Sequence, residues 1–283
     1  MFTSDTLKGK SILVTGGGSG LGLVMAKAFA EKGANVAICG RTEERLQKAL
    51  EELQKINPEC AYHVVDVRDY DAVGEMIERL NERYGVLNGL VNNAAGNFYA
   101  FSEDLSPNGF KAVVDIVLHG TFNCSQHFGK QLITKKKPGT ILNIVTTYTQ
   151  TGSAFVLPSA CAKAGVYAMT NTLAYEWATY NIRVNAIAPG PFPTEGAWKR
   201  LMPSPEFEKI YLQRHPLHRY GKPEELANLA VFMMSDMSEY LTGECVNIDG
   251  GERLQAGQFN FVAQMMPREQ LKALFEKMKP RKK

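Results

Sequence analysis

Short apolar runs alternate with longer amphipathic segments along most of this chain. Seven runs rich in β-branched residues are typical of strands buried on both faces of a parallel sheet. They are Ser11–Thr15, Asn35–Gly40, Ala61–Val67, Gly89–Asn92, Thr140–Val145, Arg183–Ala188 and Cys245–Asp249. Between them, segments such as Gly22–Lys32 and Glu43–Ile56 carry apolar residues at helical spacing, with charged residues opposite. The alternation predicts an α/β fold, a doubly wound sheet of seven parallel strands flanked by helices.

The length of the chain and its composition predict one domain. With 283 residues, 45% of them hydrophobic, the chain can form one sizeable core. The strand–helix alternation covers about residues 8–251 and contains no internal repeat. Residues 252–283 form a C-terminal extension with a late helix at Pro267–Met278 and a basic end that we interpret as a solvated terminus. We therefore expect a single domain over residues 1–283.

Charge and cysteine content exclude several classes of protein. The net charge is +3 with both signs mixed along the chain, so no nucleic-acid partner is expected. The five cysteines form no Cys-x-x-Cys pair, which indicates reduced thiols and no metal site. No secretory signal is visible, and no apolar run reaches the ~18–20 residues that span a bilayer. We expect a soluble protein of the bacterial cytoplasm or, alternatively, of an organellar matrix.

A glycine-rich segment follows the first predicted strand and opens a helix. It reads Thr15-Gly16-Gly17-Gly18-Ser19-Gly20-Leu21-Gly22. Glycines let the backbone turn tightly and approach a pyrophosphate, which the N–H groups and the dipole of the following helix attract. An ordinary turn is the alternative, but five glycines would then carry an entropic cost without a ligand. The pattern predicts dinucleotide binding by Gly16, Gly17, Gly18, Ser19, Gly20 and Leu21.

The end of the second strand indicates which dinucleotide binds. A site for NAD would place a carboxylate here, against the ribose 2′-hydroxyl. The sequence instead reads Cys39-Gly40-Arg41, with no acid before Glu43. Arg41 is placed to meet a 2′-phosphate, so we predict NADP(H) as the cofactor. The alternative is that Arg41 only pairs with Glu44 on the helix surface.

Further cofactor contacts are expected at other strand ends, because ligands of such sheets bind at the carboxyl ends of strands. Asp66 can accept a hydrogen bond from the adenine amino group at the end of the third strand. Asn92–Gly96 forms a glycine-ended turn beside the cofactor. After the sixth strand, the nicotinamide is expected to be covered by Pro189, Gly190, Pro191 and Phe192.

These segments, with Lys163 and Asp249-Gly250-Gly251, resemble the short-chain dehydrogenase/reductase family over roughly residues 8–251. The resemblance implies a single Rossmann-type domain that transfers hydride with a nicotinamide cofactor. It also implies a homotetramer. Most members of the family carry a catalytic set of Asn, Ser, Tyr and Lys.

That catalytic set is altered in this chain. Lys163 keeps the lysine, whereas Ser159 stands at the tyrosine position, Thr146 at the serine position and Val117 at the asparagine position. A dead enzyme or a nucleotide-sensing scaffold is one interpretation. The chemistry of a conjugated thioester gives another, because hydride then goes to a remote carbon and negative charge appears on an oxygen several bonds away. Such a reaction needs its hydrogen-bond donor further from the nicotinamide.

Two residues at strand ends are candidates for the displaced donor. Tyr148 follows the fifth predicted strand, and Asn97 follows the glycine turn after the fourth. Each can donate a hydrogen bond to the thioester oxygen, forming a two-point enolate site. Taken singly, Tyr148 could be a surface tyrosine capping a loop and Asn97 a turn former. In a chain that lacks the usual donor, the functional interpretation of the two together is preferred.

A wider set of segments narrows the resemblance. The chain is similar to the NADPH-dependent 2,4-dienoyl-CoA reductases of the short-chain type, mitochondrial and bacterial. The similarity is carried by Asn92–Phe98, Leu105–Asn108, Asp115–Leu118, Thr147-Tyr148, Pro158–Gly165 and Gly257–Asn260. It implies that Tyr148 and Asn97 bind the thioester carbonyl and that Lys163 holds the nicotinamide ribose. His119 departs from the asparagine common in these relatives; it could titrate near neutral pH, or be a helix-face histidine with no catalytic part.

The resemblance also assigns residues to an acyl-CoA substrate. Arg68 and Arg200 are expected to contact the nucleotide phosphates of coenzyme A, for which a guanidinium is well suited. Phe98 and Ser159 are assigned to the substrate pocket, and the helical lid region Thr194–Tyr211 is expected to shape it.

The leading hypothesis is therefore NADPH-dependent reduction of a 2,4-dienoyl-CoA in unsaturated fatty-acid β-oxidation. Hydride would go to the δ carbon, and protonation of the α carbon from water would give a trans-3-enoyl-CoA. One alternative is a reductase of another enoyl- or ketoacyl-thioester, with Tyr148 acting as the acid. Another is a non-catalytic NADP-binding regulator, which retention of Lys163 disfavours.

Overall fold

The computed structural model describes residues 2–194 and 204–279. Within them, seven parallel strands form one sheet in the order β3-β2-β1-β4-β5-β6-β7. The strands are β1 (Ser11–Thr15), β2 (Asn35–Gly40), β3 (Ala61–Val64), β4 (Gly89–Asn92), β5 (Gly139–Ile144), β6 (Ile182–Pro189) and β7 (Cys245–Ile248). This is the predicted doubly wound topology, and the strand order reverses between β1 and β4, where such sheets bind ligands.

Helices connect the strands and cover both faces of the sheet. The longer ones are α1 (Gly20–Glu31), α2 (Glu43–Gln54), α3 (Tyr70–Tyr84), α4 (Pro107–Val114), α5 (Gly120–Lys135), α7 (Leu157–Trp177), α8 (Pro205–Arg214), α9 (Pro223–Met234) and α10 (Arg268–Met278). A short helix, α6 (Tyr148–Thr151), follows β5. A π-helical turn at Asp115–His119 joins α4 to α5.

The hydrophobic core lies in two layers, one on each face of the sheet. On one face, Met25 and Phe29 of α1 pack with Leu226 and Met233 of α9 against the central strands. On the other face, α3 and α5 contribute side chains such as Phe128, which is fully buried. Each helix carries an apolar stripe that it can bury only against the sheet, so the sheet is enclosed and its carboxyl edge is left for ligands.

The edge strands differ from the prediction. The third strand was predicted over Ala61–Val67, but β3 ends at Val64, where the pairing with β2 ends at Gly40. Val65 and Val67 are buried beyond the end of the strand, so their apolar pattern reflects packing rather than pairing. β3 and β7, the two edge strands of the sheet, are only partly buried, and Val64 at the end of β3 is exposed.

The described residues contain no helix whose length and apolar character would allow it to cross a membrane.

Candidate active site

The glycine-rich turn lies between β1 and α1 at the carboxyl edge of the sheet. Gly16 has φ +65°, and a Cβ there would lie 3.0 Å from Ala94 Cα. At Gly17 a Cβ would come within 2.6 Å of Ile38 Cγ2. Ser19 precedes α1 without a side-chain cap, and the first turn of α1 contains no acid, so its N–H groups are available to an anion. The remaining predicted residues, Gly18, Gly20 and Leu21, lie in this turn and at the start of α1.

The loop after β4 is fastened to this turn. Asn93 Nδ2 donates hydrogen bonds to the carbonyl oxygens of Thr15, at 3.0 Å, and Gly16, at 3.3 Å. In return, Thr15 Oγ1 accepts the backbone N–H groups of Asn93 and Ala94, both at 3.0 Å. The sequence predicted the position of this loop beside the cofactor but did not reveal the bracing role of Asn93.

Arg41 follows β2 and is exposed at the same edge. Within the described residues Arg41 forms no ion pair, whereas Glu44 pairs with Lys48 at 3.0 Å. The structure therefore does not contain the alternative ion pair between Arg41 and Glu44. A free guanidinium at this position fits a 2′-phosphate.

Asp66 and Arg68, predicted for adenine and coenzyme A, contact each other. Arg68 Nε donates to both carboxylate oxygens of Asp66 at 3.0 Å, and the Arg68 backbone N–H donates to Asp66 Oδ1. This fork holds the pKa of Asp66 below its usual value, chiefly through the side-chain hydrogen bond. The contact uses Nε and Nη2 of Arg68, so Nη1 and the remaining lone pairs of Asp66 are left for a ligand.

Lys163 lies on α7, buried beneath the carboxyl edge. Its exposed fraction is 5%, and Nζ donates to the carbonyl oxygen of Ile144 at the end of β5. Burial lowers its pKa to about 8. An ammonium held in this way can donate to a cofactor hydroxyl while keeping its other hydrogen bond to the sheet.

Tyr148 and Ser159 meet in the structure. The Tyr148 hydroxyl lies 3.0 Å from Ser159 Oγ. Ser159 is buried, one helical turn before Lys163 on α7, while Tyr148 begins α6 and is partly exposed. The phenol of Tyr148 therefore contacts the serine that occupies the usual tyrosine position.

The other two altered positions, Thr146 and Val117, carry no acidic side chain. The Thr146 hydroxyl is buried and has no hydrogen-bond partner among the described residues. Val117 is fully buried in the π-helical turn, where its carbonyl accepts the Thr121 hydroxyl at 2.6 Å. His119, on the same turn, is exposed and lies 3.1 Å from Asp115. That position agrees with the helix-face interpretation of His119.

Asn97 and Phe98 lie in the loop after β4. Asn97 Oδ1 accepts the backbone N–H of Phe98 at 2.9 Å. That contact makes Asn97 a turn residue, and it also leaves the amide nitrogen, which has no partner in the described part of the chain, as a donor for a ligand. Phe98 is 40% exposed, so its ring can form part of a pocket wall. Arg200 and most of the predicted lid before Ser204 fall outside the described residues.

A buried polar chain, which the sequence did not reveal, connects the strands below the site. Asn92 Nδ2 donates to Asn143 Oδ1 at 2.9 Å and to Ser125 Oγ at 3.0 Å. Asn143 Nδ2 donates to Thr170 Oγ1 at 2.9 Å, and Asn143 is fully buried. The only sequence signal was an asparagine inside the apolar strand β5.

The segment predicted to cover the nicotinamide ends β6. Pro189 is the last residue of β6, and Phe192 is 8% exposed. Gly190 lies so close to the end of β7 that a Cβ would come within 2.8 Å of Asp249. The Pro191 carbonyl accepts the Gly221 N–H at 3.0 Å. The segment is held from two sides at the carboxyl edge.

A second group of polar residues adjoins this segment. The Tyr211 hydroxyl of α8 donates to Glu252 Oε1, and Glu252 Oε2 would lie 3.1 Å from a Cβ at Gly190. His215 is 2% exposed, close to Tyr211. The sequence places Tyr211 at the end of the predicted lid region, but it gives no sign of the contact with Glu252, which is distant in the chain.

Together, the fold and this edge define a nicotinamide-dependent oxidoreductase of the short-chain dehydrogenase/reductase class. The family model described as "Enoyl-(Acyl carrier protein) reductase" matches residues 16–252. The chain belongs to that family.

Two curated relatives cover most of the chain. A Bacillus subtilis (strain 168) protein named Probable 2,4-dienoyl-CoA reductase, (2E)-enoyl-CoA-producing, is 44% identical over 251 residues, 88% of this chain and 99% of the relative. A Caenorhabditis elegans protein named Probable 2,4-dienoyl-CoA reductase 3, (3E)-enoyl-CoA-producing, is 41% identical over 257 residues, 89% of this chain and 83% of the relative. The two names differ in the position of the carbon–carbon double bond in the enoyl-CoA product.

Solved structures agree with the fold. A short-chain dehydrogenase from Bacillus anthracis is 46% identical, with a TM-score of 0.80, over 87% of this chain and 97% of that chain. A gluconate 5-dehydrogenase from Burkholderia cenocepacia in complex with NADP and tartrate is 29% identical, with a TM-score of 0.82, over 88% of this chain and 97% of that chain.

Proposed function

We propose that this chain is an NADPH-dependent 2,4-dienoyl-CoA reductase. The observation that carries the proposal is the 3.0 Å contact between the Tyr148 hydroxyl and Ser159, the residue at the usual tyrosine position. It supports a phenol displaced from the carbonyl-reducing position while Lys163 is retained. The names of both curated relatives support the same activity.

The residues at the carboxyl edge fit the cofactor. Only glycine fits at Gly16 and Gly17, where a Cβ would meet Ala94 and Ile38, and the first-turn N–H groups of α1 that follow the turn would attract the charge of a pyrophosphate. Arg41 would hold the 2′-phosphate, Asp66 the adenine amino group and Lys163 the nicotinamide ribose. When bound, the cofactor supplies the hydride that the δ carbon of the thioester takes.

Tyr148 and Asn97 would hold the thioester oxygen. As negative charge develops there, a phenol and an amide N–H donate hydrogen bonds that are stronger in the transition state than in the ground state. Ser159, in contact with Tyr148, would orient the phenol. Arg68 and Arg200 would contact the phosphates of coenzyme A, and Phe98 the acyl chain.

An absorbance assay tests the function. NADPH oxidation is followed with 2,4-hexadienoyl-CoA, a 2-enoyl-CoA and a 3-ketoacyl-CoA in turn. We expect turnover with the dienoyl thioester and little with the other two. Activity on the ketoacyl thioester alone would contradict the proposal in favour of carbonyl reduction, and inactivity with all three would favour a non-catalytic regulator.

The product distinguishes the two types of relative. We propose a trans-3-enoyl-CoA, because protonation at the α carbon leaves the remaining double bond out of conjugation with the thioester. NMR of the isolated product measures the position of that bond. A conjugated 2-enoyl product would show that protonation occurs elsewhere.

The proposed setting is the β-oxidation of unsaturated fatty acids, in a bacterial cytoplasm or an organellar matrix. The five free cysteines fit a reducing compartment. We also propose a homotetramer, supported by the family resemblance and by exposed aromatic side chains such as Phe122 on α5 and Tyr175 on α7. Light scattering after gel filtration measures the assembly, and a monomeric mass would contradict it.

A further inference from the structure

A hydrogen bond fastens helix α8 to the chain that follows β7. Tyr211, near the end of α8, donates its hydroxyl to Oε1 of Glu252, and both side chains are partly buried. Glu252 is the first residue of a short 3₁₀ turn after β7, 41 positions further along the chain. The contact therefore joins two distant parts of the chain that the fold brings together at the carboxyl edge of the sheet.

The carboxyl of Glu252 lies against Pro189–Phe192, the nicotinamide segment. A Cβ at Gly190 would lie 3.1 Å from Glu252 Oε2 and 2.8 Å from Asp249 Cα, so only glycine fits there. The Gly190 N–H donates to the carbonyl oxygen of Ile248, at the end of β7, at 3.0 Å. The nicotinamide segment is thus tied to β7 on one side and walled by the carboxyl of Glu252.

The ring of Tyr211 is connected to the same segment by a second route. It stacks on Tyr220, with ring centroids 6.0 Å apart and an interplanar angle of 28°. The next residue, Gly221, donates its N–H to the carbonyl oxygen of Pro191 at 3.0 Å, and a Cβ there would lie 2.3 Å from Phe192 Cε1. The hydroxyl and the ring of one tyrosine therefore both bear on the nicotinamide segment.

The phenol of Tyr211 keeps the carboxyl of Glu252 in place. A partly buried carboxyl needs a hydrogen-bond donor, because burial without one is less favourable than exposure to water. The neighbouring carboxyl is held differently, since the two oxygens of Asp249 accept the backbone N–H groups of Gly251 and Arg253 at 3.0 and 2.9 Å. Without the phenol, Glu252 would turn towards solvent and leave the nicotinamide segment without its wall, whereas Asp249 would stay in place.

We propose that Tyr211 and Glu252 are a positioning pair that holds the nicotinamide segment against the nicotinamide half of NADP(H), an inference that rests on the cofactor of the proposed function. Neither side chain acts on the thioester. The adenosine half is assigned to the glycine-rich turn and to Arg41, after β1 and β2, whereas β6 and β7 lie towards the opposite end of the sheet. Loss of the pair should therefore weaken the binding of the nicotinamide half and spare the adenosine half.

Tyr211→Phe tests the proposal, because it removes the hydroxyl and keeps the ring that stacks on Tyr220. By isothermal titration calorimetry we expect its Kd for NADPH to rise about tenfold, the effect of losing one hydrogen bond to a carboxyl. Its Kd for 2′,5′-ADP, which carries the adenosine 2′-phosphate without a nicotinamide, should change by less than about twofold. Tyr240→Phe, at a fully exposed position, is the matched control and should leave both constants unchanged.

Variants of Glu252 test whether the two side chains act as a pair. Glu252→Leu should raise the Kd for NADPH as much as Tyr211→Phe, and the double variant should bind no more weakly than either alone, because the same hydrogen bond is lost in each. E252Q should regain most of the affinity that Glu252→Leu loses, since its amide oxygen can still accept from the phenol. At saturating NADPH, kcat for 2,4-hexadienoyl-CoA should fall less than about threefold in every variant, while KM for NADPH rises with Kd.

Two binding results would overturn the inference. If Tyr211→Phe and Glu252→Leu bind NADPH as tightly as the wild type, the pair does not hold the nicotinamide segment. If they bind NADPH and 2′,5′-ADP with equal losses, the pair supports the fold as a whole and not the nicotinamide end. If the wild type binds no NADPH, the inference and the proposed function are both wrong. If it binds NADPH but reduces no thioester, the proposed function alone is wrong, and the binding results still decide the inference.

Discussion

At the residue scale, the proposed chemistry depends on one phenol. Tyr148 and Ser159 are separated by the short helix α6 and the loop that leads into α7, and these bring their oxygens to 3.0 Å. Ser159 lies on the same helix as Lys163, so the Tyr148 hydroxyl contacts the helix that also carries the lysine. Lys163 in turn donates to the carbonyl oxygen at the end of β5.

Replacing Tyr148 and Ser159 separately tests which one is the donor. Tyr148→Phe should lower kcat for the dienoyl thioester on the order of 100-fold or more, the cost of losing a donor to an oxyanion. Ser159→Ala removes only a supporting hydrogen bond and should cost less than about tenfold. Steady-state kinetics measure both, with Tyr240→Phe, at a fully exposed position, as the control. A larger effect of the serine change would contradict the relocation of the donor.

Lys163 gives a pH-dependent contribution to stability. Its pKa is about 8 in the folded protein, against 10.5 as the ordinary value. Between these values the unfolded chain holds a proton that the folded protein lacks, so the contribution of Lys163 to stability rises with pH. Below pH 8 Lys163 is charged in both the folded and the unfolded state. The free energy of folding then includes the full cost of burying its ammonium group.

Lys163→Met should therefore stabilise the cofactor-free protein below pH 8. The gain should be at most about 3 kcal/mol and should shrink as pH rises from 8 towards 10.5. Urea unfolding of both proteins across this range measures the difference, and other titrating groups cancel between them. A constant difference would mean that the pKa of Lys163 is the same in the folded and the unfolded protein, so that burial does not shift it.

At the scale of elements, the buried polar chain connects β4, β5 and α7. Asn143 accepts from Asn92 and donates to Thr170, so each amide fixes the position of the next element. Apolar side chains at these positions would pack the elements without fixing them in this way. The chain places α7, and with it Lys163, relative to the end of β5.

Asn143→Ala should destabilise the protein by about 1–3 kcal/mol, because it leaves buried partners unsatisfied. Asn108→Ala, at an exposed position of α4, should change stability by less than about 0.5 kcal/mol. Chemical denaturation measures both. Equal effects of the two substitutions would show that the polar chain contributes nothing specific.

At the scale of the whole molecule, cofactor binding couples several strand ends. The glycine-rich turn, the loop after β4 and the segment after β6 all lie along one edge because the sheet is parallel. NADPH should therefore stabilise the entire domain. At 100 times its Kd the gain is about 2.7 kcal/mol, roughly 5–10 °C in Tm.

Arg41 should decide which nucleotide gives the larger shift. We expect NADPH to raise Tm more than NADH at equal concentration, because only NADPH offers a 2′-phosphate to the unpaired guanidinium. Arg41→Ala should remove the difference, whereas Lys48→Ala, on the same stretch of chain but paired with Glu44, should keep it. Differential scanning fluorimetry makes the comparison. Equal shifts in the wild type would contradict the choice of NADP(H).

Sequence patterns predicted most of the fold and one side of the candidate site. The predicted site residues lie next to strands and helices whose apolar residues repeat at a regular spacing in the sequence. They are the glycine-rich turn, Arg41, Lys163 and Tyr148. The third strand was predicted three residues too long, since Val65 and Val67 are apolar because they pack and not because they pair.

The sequence by itself determined the class of fold, the cofactor edge and the absence of the usual tyrosine, because these depend on local periodicity and on residues close in the chain. Three side-chain hydrogen bonds were decided only by the tertiary structure. They join Tyr148 to Ser159, Arg68 to Asp66 and Tyr211 to Glu252. The physical reason is that side-chain contacts depend on where loops return to the sheet edge. The moved phenol could be inferred from chemistry, whereas the carboxyl beside Gly190 could be found only once β6 and β7 were aligned.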